Sequence, residues 1–216
     1  MMEEFGRMTF PNGRTGSPVI DDDLVIVRGI TSNWGRQGPA RDRFYAFDKK
    51  SGGLVWASTP GVRPRDSSFS TPVLALRKGK RVFYCGTGCG NIVCVNVRTG
   101  EPIWRYQLSI GGVNSSVVSD RLLLGAIHGR ENIDSSAIGR MVALKLNIEP
   151  KPSVVGGTPI LDKRAELWRN GLSMFTSSPV KDDFLIYQVT HTGVLCCVNA
   201  QTGKILWRHK LAPDQL

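Results

Sequence analysis

The sequence predicts an all-β protein, a β-propeller assembled from four-stranded antiparallel blades. Three observations predict it. First, an apolar strand ends four times in a small residue, a polar turn and then a tryptophan. Second, each of these units is preceded by a Ser- or Thr-led apolar run, a polar turn and another apolar run. Third, 24 glycines and 12 prolines punctuate the 216 residues, as a chain with many tight turns requires. Repeats of roughly 40–50 residues built from strands point to a propeller or an array.

The first two strands of each unit read alike. Ser17-Pro18-Val19-Ile20 leads through Asp21-Asp22-Asp23 to Leu24-Val25-Ile26-Val27, and Thr71-Pro72-Val73-Leu74 through Lys78-Gly79-Lys80 to Val82-Phe83-Tyr84-Cys85. Ser115-Ser116-Val117-Val118 precedes Leu122-Leu123-Leu124, and Ser178-Pro179-Val180 precedes Phe184-Leu185-Ile186-Tyr187. Each is a hairpin signal. Third strands carry Phe44-Tyr45-Ala46-Phe47, Ile92-Val93-Cys94-Val95, Met141-Val142-Ala143-Leu144 and Val194-Leu195-Cys196-Cys197-Val198.

The turn and the fourth strand complete the unit. In three copies the Asp or Asn, the Gly and the Trp stand two, six and ten residues after the small residue: Asp48, Gly52, Trp56; Asn96, Gly100, Trp104; Asn199, Gly203, Trp207. The third copy is interrupted from about Asn147 to Lys163 and resumes at Ala165-Glu166-Leu167-Trp168. The Asx side chain starts the turn and the glycine supplies positive φ. Each Trp is expected to lay its ring over a neighbouring blade, so that replacing one costs about 3–5 kcal/mol. Blades are placed at about 16–60, 68–109, 113–172 and 174–211 of a repeat region 16–216, after an N-terminal segment 1–15.

Composition narrows the function classes. A 41% hydrophobic content supports a core, and no run approaches the ~20 apolar residues of a membrane helix. The net charge of +10 is dispersed through turns and loops. It permits an anionic ligand but makes no basic, aromatic-interleaved groove, so no specific nucleic-acid partner is expected. The start, Met1 to Arg7, is acidic and lacks the apolar core of a leader. Five cysteines, Cys85, Cys89, Cys94, Cys196 and Cys197, form neither an even framework nor a zinc spacing. Cys94 and Cys197 take the slot of Ala46 and Ala143 and read as small buried residues.

The unit resembles the tryptophan-docking repeat of the pyrroloquinoline-quinone-type (PQQ-like) propellers over about residues 16 to 210, with Gln201-Thr202-Gly203-Lys204-Ile205-Leu206-Trp207 the nearest copy. That family includes quinoprotein alcohol dehydrogenases and non-enzymatic relatives such as an outer-membrane assembly lipoprotein. The resemblance implies seven or eight blades in a closed ring. Four are visible, so the chain is expected to be partial, an open half that needs further blades or a second copy to close. The resemblance implies a periplasmic or extracellular location; a complete chain without a leader would be cytoplasmic.

Strand parity puts the loops between second and third strands on the same face as the blade connectors. That rim is expected to gather Trp34, Arg36, Arg63, Arg65, His128, Arg130, Glu131, Asp134 and His191. Arginines suit carboxylates or phosphates, and polar loops on a rigid scaffold suit a partner. No catalytic constellation, metal site or cofactor is expected. Within the resemblance, adjacent cysteines sit near the cofactor of the dehydrogenases, but Cys196-Cys197 lies inside a strand. The expected function is a non-enzymatic scaffold or assembly factor for a protein partner; the alternative is a relative or fragment of a PQQ-dependent dehydrogenase using Ca²⁺.

Overall fold

The structure, a computed structural model, describes residues 16–31, 41–65, 68–153 and 157–211. Sixteen strands form four antiparallel sheets in sequence order. The first holds β1 (Val19–Asp21), β2 (Leu24–Thr31), β3 (Arg41–Asp48) and β4 (Leu54–Ser58). The second holds β5 (Val73–Arg77), β6 (Lys80–Gly86), β7 (Asn91–Asn96) and β8 (Pro102–Gln107). The third holds β9 (Val118–Ser119), β10 (Leu123–Glu131), β11 (Ile138–Lys145) and β12 (Glu166–Asn170). The fourth holds β13 (Val180–Asp182), β14 (Leu185–Val189), β15 (Val194–Asn199) and β16 (Ile205–Lys210). The all-β propeller class is as the sequence predicts. Among the described residues no helix is long and apolar enough to cross a membrane.

Each repeat residue has a local task. The small residue stands directly across the ladder from the tryptophan: Ala46 from Trp56, Cys94 from Trp104, Ala143 from Trp168, Cys197 from Trp207. A register shift follows the small residue in all four sheets. A small side chain leaves the face clear for the indole, and a bulge re-aims the strand. In the turns, the side-chain oxygen of Asp48, Asn96 or Asn199 accepts the N–H groups two and three residues on, at 2.7–3.2 Å. The glycine N–H donates to the same residue's carbonyl.

Three apolar layers lie between successive sheets. Ile26, Phe44, Ala46 and Trp56 meet Phe83, Cys85 and Val93 between the first and second. Tyr84, Cys94 and Trp104 meet Leu124, Ala126 and Val142 between the second and third. Met141, Ala143 and Trp168 meet Ile186, Cys196 and Val198 between the third and fourth. Trp56 donates its indole N–H to the Val97 carbonyl (2.9 Å) and Trp168 to the Ala200 carbonyl (2.7 Å), each in the turn of the following blade. Trp207 departs from the docked expectation: the residue is 44% exposed, because no described sheet covers that face.

Near the inner ends of the blades a relay links all four. The N–H of Ser17 donates to Thr71 Oγ1 (3.0 Å), the N–H of Thr71 to Ser116 Oγ (2.9 Å), and the N–H of Ser116 to Ser178 Oγ (2.8 Å). The third-blade insertion folds outward. Its Lys151 pairs with Ile160, and Arg105 of β8 bonds Pro159 and Leu161 through its backbone, so the insertion covers the outer edge of the second blade.

Candidate rim site

Backbone hydrogen bonds fasten connectors and turns together on one face. The N–H of Arg65 donates to the Gly88 carbonyl, that of Val113 to Thr87, that of Ile110 to Glu131, and that of His191 to Ser173. The rim is therefore built on fixed backbone rather than on free loops. Arg63, Arg65, Glu131 and His191 are exposed on it. Arg130 lies between two connectors: its guanidinium sits 4.5 Å from the Phe175 ring centre, and its aliphatic stem runs past Gly111.

Two further predicted rim residues are engaged within the chain. His128 is buried, and its Nδ1 accepts the Arg130 N–H at 3.2 Å, which leaves the ring proton on Nε2. Burial, with Arg140 nearby, pushes its pKa down to about 4. The neutral imidazole is enclosed in the blade, with its Nε2 buried and without a hydrogen-bond partner. Asp134 is claimed by cations: Arg140 and Arg169 each approach it at 2.7 Å, and Lys163 at 3.5 Å. Hydrogen bonds from those two arginines hold its carboxyl well below the usual range. It ties the β10–β11 loop to β12. Trp34 and Arg36 lie outside the described residues.

Sequence reasoning missed the group beneath the rim. Arg28 and Asp42 form a buried two-pronged pair: Nε and Nη2 reach Oδ1 at 3.0 and 2.8 Å, and Nη2 reaches Oδ2 at 2.7 Å. Arg28 Nη1 donates to Ser68 Oγ (2.7 Å), and Asp42 Oδ2 accepts the Gly88 N–H (2.6 Å). Ser68 Oγ in turn donates to the Val113 carbonyl. Burial disfavours the Arg28 charge, yet Asp42 together with the nearby Cys85 and Cys89 offsets it, and the arginine pKa stands above its usual value. The network joins the first two blades and both of their connectors. The sequence signal was an arginine inside the apolar run Val25-Ile26-Val27-Arg28, which needs a buried counter-charge.

The cysteines do not fit a quinone with its calcium ion. Cys196 enters the layer against the third blade, whereas Cys197 faces Trp207 on the other side of β15. All five thiols are free and buried. Among the described residues no three His, Cys, Asp or Glu side chains are grouped to hold a metal ion.

Comparison with known proteins follows this geometry. The family model described as outer membrane protein assembly factor BamB matches residues 7–145 and 159–215. The gap falls within the insertion. No curated protein matches significantly. Among solved structures, BamB from Moraxella catarrhalis is 20% identical, with a TM-score of 0.59 over 89% of this chain and 50% of that one. Quinohemoprotein alcohol dehydrogenase from Comamonas testosteroni is 14% identical, TM-score 0.60, over 93% and 35%. A europium-containing methanol dehydrogenase is 14% identical, TM-score 0.60, over 91% and 46%. The chain spans half or less of the length of these structures, and the likeness to them shows the fold.

Proposed function

The chain belongs to the outer membrane protein assembly factor BamB family, and from that premise we propose that it is a non-enzymatic propeller that binds a partner protein through its loop rim, as a scaffold or assembly factor. The observation that carries this reading is the division of polar groups at the rim. Arg63, Arg65, Glu131 and His191 are exposed on connectors and turns, while Arg28 and Asp42 beneath them are buried and engaged with each other, and His128 is buried. A fixed surface of this kind suits recognition, and among the described residues no three His, Cys, Asp or Glu side chains are grouped to hold a metal ion. Its arginines favour carboxylates on the partner. The compartment that goes with the reading is the periplasm or cell exterior.

The test is capture from a cell-envelope extract with the full chain and with rim variants Arg63→Glu, Arg65→Glu and Glu131→Lys, singly and together. The expected result is a defined partner lost from the combined variant, with thermal unfolding unchanged. Equal capture by the wild type and the combined variant would overturn it. Titration with pyrroloquinoline quinone and Ca²⁺ is expected to leave the absorbance spectrum unchanged, and dye-linked alcohol oxidation would favour the dehydrogenase relatives instead.

A further inference from the structure

The first–second and third–fourth junctions use the same parts, and the two outer faces each carry one half of another such junction. A tryptophan seats on the next blade's turn where a glycine leaves room: a β-carbon on Gly100 would come within 2.6 Å of the Trp56 ring, and one on Gly203 within 2.5 Å of Trp168. Gly52 has the same turn and the same positive φ, yet nothing lies within 4 Å of the corresponding point. At the other end Trp207 is 44% exposed. The apolar residues around these half-sites follow suit. Val180 is 64% exposed, whereas its counterpart Val73 packs into a layer; Ile20 is 60% exposed, whereas Leu74, its counterpart, is packed. The hydroxyl relay likewise begins at Ser17 and stops at Ser178.

We propose that these faces cover each other between two copies of this chain. Trp207 of each copy seats on the Asp48–Gly52 turn of the other and donates to the Lys49 carbonyl, the position held by Val97 and Ala200 in the internal junctions. The Ser178 N–H donates to Ser17 Oγ across the same junction. Two such contacts related by a two-fold axis close a ring of eight blades. The occupant is a second copy because the ends are complementary in each part of the repeated junction. Two copies also supply the span of the Moraxella catarrhalis structure, of which one chain covers 50%.

The experiment measures the mass of the full chain by light scattering and sedimentation over a range of concentrations. The expected value is twice 23.7 kDa. Trp207→Ala and Gly52→Asn each convert the dimer to monomer with the circular dichroism spectrum retained, since Trp207 meets Tyr187 only at the open face of its own sheet, nothing lies within 4 Å of the Gly52 β-position, and Asn tolerates positive φ. Mixing the two variants restores a 1:1 dimer, because one of the two junctions then has both an intact tryptophan and an intact glycine. A monomeric wild type, as when further blades or residues 1–15 cover the faces, overturns the proposal. So do dimers insensitive to both variants, a mixture that stays monomeric, or an open series of larger masses.

Discussion

Trp168 and Gly203 touch so closely that the glycine is fixed twice over, by its φ of +71° and by the indole lying where a β-carbon would go. Trp56 and Gly100 repeat the relationship one junction earlier. The shared Gly of the repeat therefore serves the neighbouring blade as much as its own turn.

This separates two glycines that look identical in sequence. Gly100→Ala combines backbone strain with displacement of a buried ring and is expected to cost about 2–4 kcal/mol. Gly52→Ala meets open space within its own chain and carries the strain alone, about 1–2 kcal/mol. Urea unfolding midpoints compare them, at concentrations where both are monomeric. Equal losses would show that the indole does not press on Gly100.

The Arg28–Asp42 pair sets a second expectation. Arg28→Met strands a buried carboxylate and is expected to cost about 3–5 kcal/mol. The double variant Arg28→Met/Asp42→Leu removes both charges and is expected to lose less than the sum of the single changes. A double-mutant cycle by denaturant unfolding reads the coupling. Strict additivity would contradict a direct pair.

His128 gives the fold a pH dependence. Its folded pKa, about 4, lies below the usual 6.5, so the unfolded chain binds a proton more readily. Stability is full above pH 6.5, falls as pH drops through the window from 6.5 to about 4, and levels below it for this group. The loss is on the order of 3 kcal/mol. Asp134, held low by Arg140 and Arg169, titrates further down. His128→Gln is expected to flatten the stability profile between pH 4 and 6.5; an unchanged slope would assign the dependence elsewhere.

The thiols are expected to be inert in the folded protein. Burial pushes Cys85 up to about 11 and Cys94 up to about 12, and all five side chains are buried. A colorimetric thiol reagent at neutral pH should label none of them until denaturant is added, and then all five. Rapid labelling of the native chain would show an open cysteine.

The four-blade architecture was legible because the repeat states its physics locally: small residue, Asx turn, positive-φ glycine, tryptophan. The slot shared by Cys94 and Ala143 was readable as a small buried position; that it stands across the ladder from the indole depends on the register. Arg28 and Asp42 occur once, 14 residues apart, with no period to mark them as partners. The insertion carries no alternation, and its pairing with β8 depends on a distant strand. His128 and Asp134 were read as rim groups from loop position alone. Burial in one case and three nearby cations in the other decide their roles, and neither can be seen along the chain.

The relay through Ser17, Thr71, Ser116 and Ser178 has a direction: every link runs from an amide of one blade to a hydroxyl of the next. The two extremities of the chain are thus chemically unlike, one presenting an acceptor and the other a donor. Two Ser178 extremities brought face to face would set amide against amide, whereas a Ser178 end meeting a Ser17 end gives that amide an acceptor. The arrow built into these hydroxyls therefore favours head-to-tail over mirror-wise pairing before any apolar surface is compared.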